Sequence, residues 1–140
     1  MVRKGQPMFF FFYDDNIEDN IIIYNTDDGK ANVKLYANDG TVWATHKAMA
    51  ELFDCSPDNV SLHLKNIYGD KELEETSTSE YFSVVQNEGT REVTRKTKCY
   101  NLEAILAVGF RVRSPRGAQF RKWANTTLKE YLQKGFVLDD

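Results

Sequence analysis

The sequence predicts an α+β domain, and two observations predict it. After residue 20 come short β-branched runs broken by Asp-Gly turns. Further on, hydroxyl or amide caps precede segments whose apolar residues recur with helical period. With 41% hydrophobic and 28% charged residues in 140, the chain has ordinary globular composition and length enough for a core. That excludes a disordered tail, a collagen-like fibre and a coiled-coil rod.

The elements follow in order. Residues 1–19 form an arm or extension, with the run Phe9–Phe12 followed by acids at Asp14, Asp15, Glu18 and Asp19. Deletion of residues 1–18 is expected to leave the fold intact. The competing expectation is that Phe9–Phe12 adds an edge strand or a dimer contact. Ile21–Thr26, Ala31–Ala37 and Thr41–Trp43 read as strands of a hairpin or meander, joined by turns at Asp28-Gly29 and Asp39-Gly40. Thr45 caps a short helix through Phe53, with Met49, Ala50 and Phe53 on its apolar face. Ser56-Pro57-Asp58 starts a second helix that runs to about Tyr68, ends at Gly69 and carries Val60, Leu64 and Ile67 inward.

Residues 70–80 read as a solvated loop. Tyr81–Gln86 and Arg91–Tyr100 form a second hairpin across Asn87–Thr90. Asn101 caps a helix with Leu102, Ile105, Leu106 and Val112 on one face. Ser114-Pro115 starts a long amphipathic helix with Phe120, Trp123, Ala124, Thr127, Leu128, Tyr131 and Leu132 inward, stopping at Gly135. Phe120 and Trp123 are expected to contact Leu102, Ile105 or Leu106. Residues 20–140 are read as one domain, because neither half alone holds much core.

Charge is strongly partitioned. Residues 1–90 hold seven Lys/Arg against sixteen Asp/Glu, a net of −9, whereas residues 91–138 hold eleven against three, a net of +8. Such asymmetry points to an anionic partner, most often nucleic acid. The alternative is that the two halves neutralise each other within the fold or between subunits.

Enzyme and metal chemistry find little support. Ser56 and His63 stand two helical turns apart, no glycine-flanked nucleophile occurs, and no phosphate-loop pattern is present. The segment Val108-Gly109-Phe110 is not such a loop. Cys55, Cys99, His46 and His63 lack the spacing of a zinc site, so no metal and no cofactor is expected. The cysteines read as reduced thiols of a cytoplasmic protein. No apolar run spans a bilayer and no signal peptide is seen, so no membrane association is expected.

Thr45–Ile67 has the shape of a helix-turn-helix, whose second helix would present Ser56, Asp58, Ser61, Leu62 and Lys65 to a major groove. Asp54 stands where such a turn often has glycine, and Asp58 would repel phosphate. Backbone contacts would come from the basic half. Lys96 and Lys98 share one face of their strand and Arg95 lies on the other; Arg111, Arg113 and Arg116 surround the bend between the last two helices; Arg121 and Lys122 lie off the apolar stripe. A basic hairpin beside a helix-turn-helix would act as a wing.

The ordered string Thr41-Val42-Trp43, Lys47–Phe53, Val60–Ile67, Tyr100–Ile105, Ala107–Val112 and Gly117–Ala124, running on to Leu128–Leu132, resembles the N-terminal domain of the RhuM-type virulence protein family. The block after Ser114-Pro115, with Phe120-Arg121-Lys122-Trp123, is also similar to the Bro-N and KilA-N domains of phages and large DNA viruses. The resemblance covers about residues 20–140 and implies a DNA-associated protein of mobile elements. It supplies no catalytic residue. Residues 1–19 have no counterpart in it, and family members usually continue beyond the equivalent of Asp140.

The expectation is therefore a non-catalytic double-stranded DNA-binding domain of a regulatory protein. The alternative is a protein-interaction module of antirepressor type with a degenerate helix-turn-helix. A homodimer and a regulatory protein partner stay open.

Overall fold

Asp39-Gly40 sits between two strands with both residues at positive φ, 56° and 75°, the conformation a two-residue hairpin turn needs. In the computed structural model, which describes residues 20–138, this turn joins β2 (Asn32–Asn38) to β3 (Thr41–Ala44). β1 (Ile21–Asn25) pairs antiparallel with β2 from Ile21↔Tyr36 to Asn25↔Asn32, completing the expected meander. The arm at residues 1–19 lies outside the described residues.

Thr45 then caps α1 (His46–Phe53), its hydroxyl accepting from the Ala48 N–H at 3.1 Å. Asp54 takes the left-handed conformation, φ 59°, that ends the helix where glycine is more usual. Ser56 caps α2 (Pro57–Gly69) by accepting from the Asn59 N–H, with proline in the first turn. Gly69 is the last helical residue, and the chain reverses at Lys71, φ 62°.

The acidic stretch after α2 is more ordered than expected. It contains a short helix, α3 (Glu75–Thr78), and the next strand begins at Ser79. Thr78 is buried, shares a 2.9 Å hydrogen bond with the Tyr68 hydroxyl and donates to the Glu74 carbonyl. Local polarity suggested solvent there, but a threonine satisfied on both sides can be buried.

β4 (Ser79–Glu88) and β5 (Arg91–Asn101) form the second hairpin, turning at Gly89, φ 66°, and Thr90. It is not an isolated wing. Trp43↔Asn101 and Ala44↔Tyr100 pair β3 with β5, giving one antiparallel sheet of order β1-β2-β3-β5-β4.

Asn101 caps α4 (Leu102–Val112) and Ser114 caps α5 (Pro115–Trp123), through the N–H groups of Ala104 and Gly117. A π turn over Ala124–Leu128 links α5 to α6 (Lys129–Leu138). Thr126 donates to the Lys122 carbonyl at 2.9 Å, a back-bond of the kind that distorts helices. The distortion helps move two residues off the expected stripe: Phe120, Ala124 and Leu128 are buried, but Thr127 and Tyr131 are exposed. The helix also continues through position 135 rather than stopping there.

The helices cover one face of the sheet. Tyr24, Val33, Leu35, Val42, Ala44 and Tyr100 join Met49, Leu52, Phe53, Val60, Leu64, Ile105, Val108 and Phe120 in one core that spans both halves of the chain. Phe120 is fully buried, edge-on to Tyr24 and Phe53. Trp123 is half-buried and packs against the core that also takes in Leu102, Ile105 and Leu106; its ring contacts are with Tyr24 of β1, at 4.8 Å between centroids, and with Phe120.

Candidate nucleic-acid interface

α1 and α2 meet across residues 54–56 and pack through Met49, Phe53, Val60 and Leu64, all buried. That anchors the inner side of α2. Ser56, Asp58, Ser61, Leu62 and Lys65 are all exposed, Leu62 at 53%. The side chains expected to face a groove thus share the outward surface of one helix. That surface offers one cation, one carboxylate, two hydroxyls and an apolar side chain. Ser56 already accepts a bond as the cap.

Two groups stand out among the candidate cations. Four are engaged by carboxylates of the chain itself. Arg95 forms a two-point bond with Glu88 across the hairpin, at 2.6 and 2.9 Å. Lys98 bonds Glu75 of α3. Arg111 reaches Glu72 at 2.8 Å and Asp70 at 3.5 Å, tying the end of α4 to the end of α2. Arg116 is 9% exposed and is the most deeply held. Its Nε and Nη2 each lie 3.0 Å from Asp28 Oδ2, its Nη1 donates to the Glu51 carbonyl at 2.7 Å, and Asp54 is 4.0 Å away. Arg116 therefore stitches the β1–β2 turn and the α1–α2 turn to α5.

Electrostatics follow these pairings. Hydrogen bonds to their carboxylates raise the pKa of Arg95, Lys98 and Arg111, and Arg95 lowers that of Glu88. Asp28 falls to about 2, chiefly because its carboxylate accepts from the Lys30 N–H and the Thr26 hydroxyl, with Arg116 adding to both. Exposed pairs of this kind contribute little to stability, because solvent and salt screen them. Their larger effect is on the field, since a cation beside a carboxylate presents little net charge to a distant phosphate.

The second group is different. Lys65, Arg113, Arg121 and Lys122 are exposed and form no ion pair with a described residue. Arg113 sits at the left-handed cap of α4, φ 59°, and Arg121 and Lys122 occupy the last turn of α5. Lys96 shares the helix-side face of the hairpin with Lys98, and Arg95 lies on the other face, as strand alternation requires.

Sequence reasoning did not single out Asp28, Glu72, Glu75 and Glu88, the carboxylates that take up these cations. The opposite charges of the two halves were the signal for them. Pairing partners 23 to 88 residues apart, such as Lys98 with Glu75 and Arg116 with Asp28, cannot be matched from charge counts. His63 is half-buried, and His46 packs against Tyr100 at 5.0 Å with its pKa lowered by burial and then by Lys98. Both cysteines are free thiols. Burial pushes Cys99 up to about 12 and raises Cys55, to which Asp54 adds. Among the described residues no helix is long and apolar enough to cross a membrane.

Residues 77–140 match the model of the Virulence protein RhuM family. The matched stretch takes in the β4–β5 hairpin, α4, α5 and α6, and begins after the α1–α2 pair. No curated protein and no solved structure matches the chain.

Proposed function

We propose that this domain binds double-stranded DNA without catalysis, as a regulatory module of a mobile-element or phage-related protein. What supports this reading is the α1–α2 pair, anchored on its inner side by Val60 and Leu64 with Ser56, Asp58, Ser61, Leu62 and Lys65 all exposed, which we read as a helix-turn-helix. Lys65, Arg113, Arg121 and Lys122 are the cations fitted to hold phosphates; Arg95, Lys98, Arg111 and Arg116 serve the fold instead. Four phosphate contacts correspond to a slope of log K on log salt of roughly −3.6. Fluorescence anisotropy with a random duplex at about 50 and 200 mM salt tests this, since such contacts weaken binding steeply over that range. No binding at the lower salt overturns it.

A second reading is a protein-interaction module. The self-neutralised cations favour it, as do the exposed side chains Leu62, Phe110 (67%) and Tyr131 (50%). In that case salt has little effect and a protein partner protects Leu62 or Phe110 from solvent.

A further inference from the structure

The sheet ends in two strands, β1 and β4. An end strand keeps one row of backbone N–H and C=O groups unpaired, a template for another strand unless something blunts it. β4 carries the exposed acids Glu80 and Glu88. β1 has no such guard. Its residues, Ile-Ile-Ile-Tyr-Asn, include no charge, no proline and no glycine, and its pairing with β2 runs from Ile21 to Asn25 without a bulge. Hydrogen bonds at both ends fix which groups point away from β2. The Ala37 N–H donates to the Asn20 carbonyl, and the Thr26 N–H donates to the Ala31 carbonyl. Alternation then turns the backbone groups of Ile22 and Tyr24 toward β2. It leaves those of Ile21, Ile23 and Asn25 facing outward, without a partner among the described residues. Two side chains of this strand are also open to water: Ile21 is 37% exposed and Ile23 52%.

We propose that β1 pairs antiparallel with β1 of a second copy of this chain, about a two-fold axis at Ile23, joining the two sheets edge to edge. The strand is complementary to itself. Ile23 is its midpoint, so two-fold pairing leaves no overhang. This register sets Ile23 against its copy, Ile21 against Asn25 and Ile22 against Tyr24, with no like charges opposed. The outward groups of Ile21, Ile23 and Asn25 become hydrogen-bonded pairs that exchange two bonds each, about six in all. The side chains of Ile21 and Ile23 lie on one face of the strand, and those of the two copies meet diagonally as one apolar patch. Such a contact is isologous and therefore closed. It uses up both β1 edges and leaves β4, with its acids, at either end of the joined sheet. None of the residues assigned to DNA takes part, so the contact is independent of that reading.

Sedimentation equilibrium of the full chain tests this. The parent is expected to dimerise. Ile23→Lys is expected to weaken dimerisation about a hundredfold, because two ammonium groups then face each other across the axis. Ile23 is half-exposed, so the variant should keep its fold, which near-ultraviolet circular dichroism checks. A parent that stays monomeric at millimolar concentration, or a dimer equally tight in the variant, overturns the proposal. Crosslinking reads the register without relying on the lysine variant. It uses a Cys55→Ser background, the other thiol, Cys99, being buried. Ile23→Cys is expected to form a disulfide between chains under mild oxidation, since hydrogen-bonded partners lie about 5.5 Å apart at Cα, within disulfide reach. Ile21→Cys is not, because its copy lies roughly 14 Å away along the paired strands. No link at position 23, or one at position 21 formed as fast, overturns the proposal.

Discussion

Arg116 in the first turn of α5 binds Asp28 in the β1–β2 turn, 88 residues away, with two guanidinium nitrogens at 3.0 Å from one carboxylate oxygen. The same side chain caps the Glu51 carbonyl near the end of α1. One arginine thus joins three elements that have no other polar tie of this kind among the described residues. Arg116→Ala is expected to cost about 2–3 kcal/mol, because a nearly buried, charge-assisted network loses its donor and the Glu51 carbonyl is left without it. Arg116→Lys recovers only part, since an ammonium cannot bond both acceptors in fork geometry. Urea titration of the three proteins measures this; an unchanged midpoint for the alanine variant would refute the role.

Acid should weaken the same corner. Asp28 has its folded-state pKa lowered from 3.8 to about 2 by the Lys30 N–H, the Thr26 hydroxyl and Arg116. A lowered acid contributes stability that is present above the unfolded pKa and lost as pH falls through the folded one. The loss is therefore expected between about pH 4 and 2. Melting temperature followed over this window should fall less steeply for Asp28→Asn than for the parent, from a lower starting value at neutral pH.

Gly109 is predicted to resist even alanine. A Cβ there would lie 2.7 Å from two ring carbons of Phe53, which is fully buried and edge-on to Phe120. The ring cannot swing away without moving a packed neighbour. Gly109→Ala should therefore destabilise by about 1–3 kcal/mol through overpacking, more than the roughly 1 kcal/mol that alanine gains in helix propensity. At Gly117 the nearest atom is the Gly109 carbonyl oxygen, at 3.1 Å, so alanine there should cost less. Thermal melts of the two variants check the ranking.

The two groups of cations make opposite predictions for DNA. Arg121→Ala and Lys122→Ala should each make the salt slope shallower by about one, uniformly across sequences. Lys98→Ala and Arg111→Ala should leave it unchanged, because Glu75 and Glu72 already hold those charges. Ser61→Ala should change which duplex is preferred rather than the slope, as a residue placed at base edges does. Anisotropy titrations at several salt concentrations separate these cases. Equal slope changes for both groups would show that phosphate displaces the internal carboxylates.

Local signals in the sequence determined most of the elements. Thr45, Ser56, Asn101 and Ser114 cap the helices they were expected to cap, and Asp28-Gly29 and Asp39-Gly40 turn the meander. These succeed because a cap or a turn is decided by bonds within a few residues. The outward residues of α2 were legible for the same reason, since Val60, Leu64 and Ile67 mark its buried side. The tertiary structure alone decided what pairs with what. It joined the two hairpins through Trp43 and Asn101, placed Trp123 on Tyr24, and turned four of the basic half's cations onto carboxylates. A charge pair or a sheet register between distant segments depends on where the backbone returns in space, and side-chain periodicity carries no information on that return.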